Sequence, residues 1–152
     1  MYTIKKRIST TCTSHYLGKG YPNKCKNLHG HNYFYDIEVA GDKLDEHDML
    51  IDFGMIKKYC DKWLQENWDH ATILSSFQTD AKEFWNKIGW RWEEFPIKDV
   101  NITAERMSEF LAKKFYKELK QINSSIKYVS VSVWETEDSV ATFKADEGIF
   151  NS

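Results

Sequence analysis

The chain has 152 residues, of which 41% are hydrophobic, 15% aromatic and 29% charged, with a formal net charge of −2. That composition excludes a generally disordered chain, and the near balance of charge leaves no global field to draw it onto nucleic acid or an anionic membrane. The length fits one domain over residues 1–152; no apolar run approaches the roughly 20 residues of a membrane span, and the opening MYTIKKRIST lacks the apolar stretch of a signal peptide, so the expected location is cytoplasmic.

Residues 2–15, YTIKKRISTTCTSH, alternate apolar and polar positions with many β-branched residues, which predicts a half-buried strand with Tyr2, Ile4 and Ile8 on one face. LGKGYPNK follows as a loop. A second strand is predicted from His29 to Ala40, with Tyr33, Tyr35, Ile37 and Val39 on one side. GDKLDEHD turns the chain and MLI, residues 49–51, is expected to make a short return strand. DFGMIKKYCDKWLQENW spaces Ile56, Tyr59, Cys60, Trp63 and Leu64 as a helix that Asp52 can cap. Between residues 75 and 99 lies an aromatic-rich insert, in which Thr79 or Asp80 can start a short helix that Gly89 ends. Its aromatics serve either as a satellite cluster at the edge of the core or as an oligomer contact. A second long helix runs through Met107, Phe110, Leu111 and Phe115, capped by Asn101 or Thr103, and IKYVSVSVWE with SVATFK reads as a closing hairpin. The order predicts an α+β fold: a four-stranded antiparallel sheet with two main helices on one face.

Three cysteines without a C-x-x-C pair argue against a disulfide framework and a four-cysteine zinc module. Cys12 and Cys60 are expected to be small buried groups, whereas Cys25 has polar neighbours. His29 and His31 project to the same side of an extended chain, so their rings can converge on one ion, although a histidine can equally be a half-buried polar residue. A catalytic zinc takes three protein ligands, and His15 at the end of the first strand is the best third. Strict alternation from Tyr2 places His15 with Lys5 and Arg7, so a bulge or strand end near Thr11 is required. His47, in an acidic turn, reads as solvated. Cys25, four residues before His29, is either a loop thiol or an acid/base beside a metal. Asp69 and His70, adjacent in sequence, read as a surface pair. Glu135 continues the face of Val129, Val131 and Val133, and is either an exposed strand end or a carboxylate placed to accept paired hydrogen bonds from a planar N–H array.

TSHYL, CKNLHGHNY, MLIDFGMIKK, WDHATIL, TAE and VWETEDSVATF occur in an order that resembles the 6-pyruvoyl-tetrahydropterin synthase and 6-carboxytetrahydropterin synthase family, from near Ile8 to Lys144. The resemblance implies that His15, His29 and His31 bind Zn2+, that Cys25 with Asp69 and His70 transfers protons, and that Glu135 anchors a pterin, with Thr103 and Glu105 near it. It further implies the tunnelling fold (T-fold), in which sheets of several subunits join into a barrel, as a homohexamer of two trimers with sites between subunits. The implied substrate is 7,8-dihydroneopterin triphosphate. The spacing C-x3-H-x-H is similar to the carboxy branch, a lyase of queuosine (7-deazapurine) synthesis that releases triphosphate and acetaldehyde; the pyruvoyl enzyme and a non-catalytic zinc and pterin-binding protein are the alternatives. Lys19, Lys24 and Lys26 are candidates for the triphosphate without motif support. Thr11 stands where the family often has an aromatic, and Ile102 where a proline is common.

Overall fold

The computed structural model describes residues 1–151, and its elements follow the hydrophobic pattern closely. Strand β1 (Tyr2–His15) and β2 (His29–Gly41) are joined by a loop containing a short 3-10 turn, Lys24–Lys26. Helix α1 (Phe53–Ile56) begins where the Asp52 carboxylate accepts the Gly54 N–H, continues without a break through a π-turn over Lys57–Asp61, and ends as α2 (Lys62–Asn67). A short strand β3 (Ala71–Leu74), helix α3 (Thr79–Ile88), strand β4 (Trp92–Glu94), helix α4 (Ala104–Ile122), strands β5 (Ile126–Thr136) and β6 (Ser139–Asp146) and a single turn α5 (Gly148–Asn151) complete the order.

The six strands form one sheet in the order β4-β3-β1-β2-β5-β6. The four long strands are the expected antiparallel set, and β3 and β4 extend it on the β1 side by parallel pairing. These two additions are three and four residues long, too short for a periodicity to declare them. The expected return strand at residues 49–51 does not form. The Met49 carbonyl is taken by the Asp45 N–H and the Leu50 carbonyl by the Asn123 side chain, so the segment is a loop that still buries Leu50 and Ile51.

One face of the sheet carries the core. Tyr33, Tyr35, Ile37 and Val39 from β2 and Val129, Val131 and Val133 from β5 are inaccessible to solvent, and they meet Met107, Leu111, Phe115 and Leu119, spaced along α4 at four-residue intervals. Ile56, Cys60 and Leu64 join the same cluster, which puts both main helices on that face. Each such aliphatic or aromatic side chain contributes about 1.5–3 kcal/mol by leaving water. The opposite face is polar: the Arg7 guanidinium grips Asp36 through two hydrogen bonds of 2.8 and 2.9 Å, and the Trp134 indole donates to the same carboxylate.

Within the insert, α3 ends at Gly89 in the left-handed conformation (φ +75°). Leu74, Ala81 and Trp85, with Tyr16 and Trp92 against them, form a small separate cluster, while Phe95 enters the main core and Phe84 and Trp90 stay exposed.

Candidate metal centre and its surroundings

The three histidines come together because β1 bulges. Between Ile8, opposite Tyr35, and Thr11, opposite Tyr33, β1 advances three residues while β2 advances two. The extra residue reverses which side chains face the core from there onward, so Thr11, Thr13 and His15 are buried, as the alternation required. The backbone groups that the bulge releases from the ladder are taken by the first helical segment. Asp61 accepts the Ser9 N–H at 3.2 Å and the Ser9 hydroxyl at 2.9 Å, and the Gln65 side-chain amide donates to the Thr10 carbonyl at 3.1 Å. Asp61 is itself buried and closes the π-turn, which also carries one more residue than an α-turn. Thr11 uses its hydroxyl to link Tyr35 and Thr13 at 2.7 and 2.9 Å.

Beyond the bulge His15 pairs across the ladder with His29, and Thr13 with His31. The ligating atoms of His15, His29 and His31 all lie within 4.8 Å of one another, so these residues could hold a metal ion. Two of the three tautomers are fixed by backbone carbonyls: His15 Nδ1 lies 2.7 Å from the Ile102 oxygen, and His29 Nδ1 2.7 Å from the Asn27 oxygen. A neutral ring must donate from Nδ1 there, which leaves Nε2 with its lone pair directed away from the carbonyl. The Tyr33 hydroxyl donates to His15 Nε2 at 3.1 Å.

Burial keeps His15 neutral. Its pKa falls to about 4, chiefly because desolvation disfavours the imidazolium; the Ile102 carbonyl opposes this, and His29 and His31 reinforce it. His31 is lowered as well, mainly by burial, with Glu135 pulling the other way. The Tyr33 hydroxyl is held protonated by burial and by the negative potential of Glu135.

Cys25, Glu135, Thr103 and Glu105 line the same cleft as the three histidines, together with Leu17, Tyr21, Lys24 and Ile102, around a volume of about 480 Å³. Cys25 sits in the 3-10 turn, which the Leu17 N–H ties to the end of β1 by donating to the Cys25 carbonyl. Glu135 occupies a second irregularity: β5 takes two steps from Trp134 to Thr136 while β6 takes one from Val140 to Ser139. Thr103 caps α4 by accepting the Arg106 N–H at 3.3 Å, and Glu105 lies in the first turn of that helix. Of the three lysines named as triphosphate candidates, Lys24 lines the cleft, whereas Lys19 donates to the Asp99 carbonyl and lies over the Phe77 ring.

Asp69 and His70 lie elsewhere in the chain. His70 Nδ1 is 2.7 Å from the Asp69 carboxylate, so the surface pair is hydrogen-bonded, with the His70 side chain 79% exposed. Desolvation raises the Asp69 pKa, but donors from Cys12 and His70 outweigh it and the net direction is down. His70 borders a second cleft of about 510 Å³ with Cys12, Asn32 and Arg91, which His31 also lines. Cys12 is therefore not the small buried group expected: the bulge turns it outward, where its thiol donates to Asn32 at 3.1 Å. Cys60 is buried as expected, and His47 is exposed. The carbonyls of Asn27 and Ile102, which fix the ligand rings, have no side-chain signature. Ile102 supplies its carbonyl to His15 while its side chain packs in the core.

A family model described as 6-pyruvoyl tetrahydropterin synthase matches residues 3–146. Among curated relatives, the 6-carboxy-5,6,7,8-tetrahydropterin synthase of Rickettsia felis is 38% identical over 101 residues, 66% of this chain and 71% of its own. The protein of the same name from Aquifex aeolicus is 34% identical over 129 residues, covering 82% and 78%. In three dimensions, the crystal structure of 6-pyruvoyl tetrahydropterin synthase from Plasmodium vivax superposes with a TM-score of 0.72 at 18% identity, over 96% of this chain and 99% of that one, a likeness of fold.

Proposed function

The chain belongs to the 6-pyruvoyl tetrahydropterin synthase family, and on that premise we propose that it is a zinc-dependent lyase converting 7,8-dihydroneopterin triphosphate and one water to 6-carboxy-5,6,7,8-tetrahydropterin, triphosphate and acetaldehyde. The observation that carries this reading is the convergence of three imidazoles, two of them with their tautomer fixed by a backbone carbonyl, a thiol and a carboxylate on one cleft, in a chain whose relatives above bear the carboxy name. Residues 1–152 are taken as one pterin-synthase domain. The wider setting we propose is cytoplasmic queuosine synthesis; among the described residues no helix is long and apolar enough to cross a membrane.

Neutral nitrogen donors suit zinc, and His15, His29 and His31 would hold it, leaving a coordination position for substrate or water. When bound, zinc supplies Lewis acidity toward the hydroxyls of the substrate side chain. The remaining work falls to the chain. Glu135 accepts hydrogen bonds from the pterin 2-amino group and ring N–H, which fixes the plane of the ring and points its side chain along the cleft. Cys25, as thiolate, accepts the proton from the side-chain carbon, and the electron pair left behind expels triphosphate from its neighbour. Thr103 and Glu105 lie at the end of the cleft where α4 begins, and border the bound ring. His70, oriented by Asp69, returns protons. His70 borders the second cleft of its own chain, and in this reading it serves the site of a neighbouring copy, in a barrel of joined sheets within a hexamer of two trimers.

Mass spectrometry of the products formed from 7,8-dihydroneopterin triphosphate, with and without a chelator, tests the proposal. Triphosphate and acetaldehyde together, lost on chelation and restored by zinc, are expected. Triphosphate without acetaldehyde would transfer the chain to the pyruvoyl branch, and neither product, with pterin still bound, to a binding role.

A further inference from the structure

We propose that Arg91, between α3 and β4, is a positioning residue for the Asp69–His70 pair, which makes the insert over residues 75–99 part of the reaction machinery. This rests on the reading of His70 as a proton donor in the proposed lyase.

His70 holds a backbone conformation that a residue with a side chain adopts at a cost, φ +54°, on the order of 1–2 kcal/mol. Its surroundings must impose it. On one side β1 does so: the His70 N–H donates to the Cys12 carbonyl at 2.8 Å, and Asp69 accepts the Cys12 N–H at 2.9 Å. On the other side the turn leaves the end of α2, where carbonyls lack helical partners. Arg91 reaches two of the exposed oxygens with two different nitrogens, Nη2 to Glu66 at 2.6 Å and Nη1 to Asp69 at 3.2 Å. Its own carbonyl accepts the Thr72 N–H at 3.4 Å, so one residue spans the chain from 66 to 72. The guanidinium is in turn oriented by Glu93 at 3.3 Å.

Geometry explains why this position calls for arginine. Two carbonyls three residues apart are bridged by the rigid fork of one guanidinium, whereas a lysine ammonium is a single point at the end of a flexible stem. The insert delivers the fork: Gly89 stops α3 in the left-handed conformation, and the parallel pairing of Thr72 with Trp92 sets Arg91 beside the turn. The peptide held by Arg91 is the one joining Asp69 to His70. Releasing it allows the imidazole to leave the Asp69 carboxylate, with loss of both its tautomer and its aim.

The test uses the intact zinc-loaded assembly with Arg91→Ala and Arg91→Lys. In protein labelled with 15N-histidine, the His70 ring shifts at alkaline pH report which nitrogen carries the proton. The wild type is expected to show one Nδ1–H form, Arg91→Ala a mixture, and Arg91→Lys an intermediate state. For turnover of dihydroneopterin triphosphate, kcat is expected to fall roughly 10- to 100-fold in Arg91→Ala, with KM unchanged within about twofold and a smaller loss in Arg91→Lys. A purely structural role would lower the amount of folded enzyme without changing the tautomer or separating kcat from KM. If Arg91→Ala does not fold, Arg91→Lys is judged on the same two readouts. An unchanged tautomer overturns the proposal, as does an unchanged kcat in an active enzyme. If the wild type itself yields no product, the lyase reading fails while the tautomer measurement still decides whether Arg91 braces His70.

Discussion

Replacing Asp61 by alanine should damage the metal centre from a distance, because Asp61 clamps the bulge that turns His15 inward. The carboxylate accepts two hydrogen bonds from Ser9, and its loss leaves the Ser9 N–H, already out of the strand ladder, without a protein acceptor. Hydrogen bonds to a charged acceptor contribute about 1.5–3 kcal/mol each, and an unsatisfied buried donor costs about 1–3 kcal/mol. Allowing for water entering the space, a loss of about 3 kcal/mol is expected, which lowers Tm by about 10 °C for a chain of this length. The second consequence is specific to the site. A bulge free to shift along β1 no longer fixes His15 opposite His29, and zinc affinity should fall by about 10- to 100-fold, as for other supports of metal ligands. Urea unfolding of the apo protein and competition with a chromophoric chelator measure the two effects. Asp61→Ala protein that is less stable by the stated amount yet binds zinc as the wild type does would refute the link between bulge and ligand. A stability loss below about 1 kcal/mol would refute the clamp itself.

Acid should destabilise the metal-free protein through His15. Its pKa is lowered from 6.5 to about 4, so the unfolded chain binds more protons between these values; the contribution is complete above pH 6.5 and disappears as pH falls to about 4. The shift corresponds to about 3 kcal/mol, and His15→Asn should remove this part of the pH dependence in urea titrations at pH 7, 5.5 and 4.5. On the proposed mechanism Cys25→Ala should retain zinc and pterin binding, because the thiol is neither one of the three proposed ligands nor the proposed pterin anchor, yet lose at least about 100-fold in kcat; metal analysis and calorimetry beside a turnover assay separate these effects.

The long elements and three zinc-ligand candidates were legible because each side chain reports on its own surroundings: alternation marked β1, β2 and the closing hairpin, and the three- and four-residue spacing of Met107, Phe110, Leu111 and Phe115 marked α4. Strands β3 and β4 were not, since runs of four and three residues have no period to read. The turn of Cys12 toward solvent was hidden for a related reason: it follows from the same extra residue in β1 that buries His15. The one bulge inverts every side chain of β1 that follows it, Cys12 together with His15.

His70 shows where sequence reading stops. Its partnership with Asp69 is local, and the sheet register that sets it beside Cys12 is a property of one chain, but the cleft it borders is not the one that contains Cys25. Side-chain reach limits any proton transfer to a few ångströms, so a function joining Cys25 and His70 requires either a large rearrangement of β3 or a second copy. The first would break the Thr13–Ala71 and Ser14–Thr72 pairing and release the braces from Cys12 and Arg91 together. The second leaves each chain as it stands. Mixing inactive Cys25→Ala chains with inactive His70→Ala chains therefore distinguishes them: assemblies that complete some sites from two different chains should regain activity, whereas a site formed within one chain would stay silent at every mixing ratio.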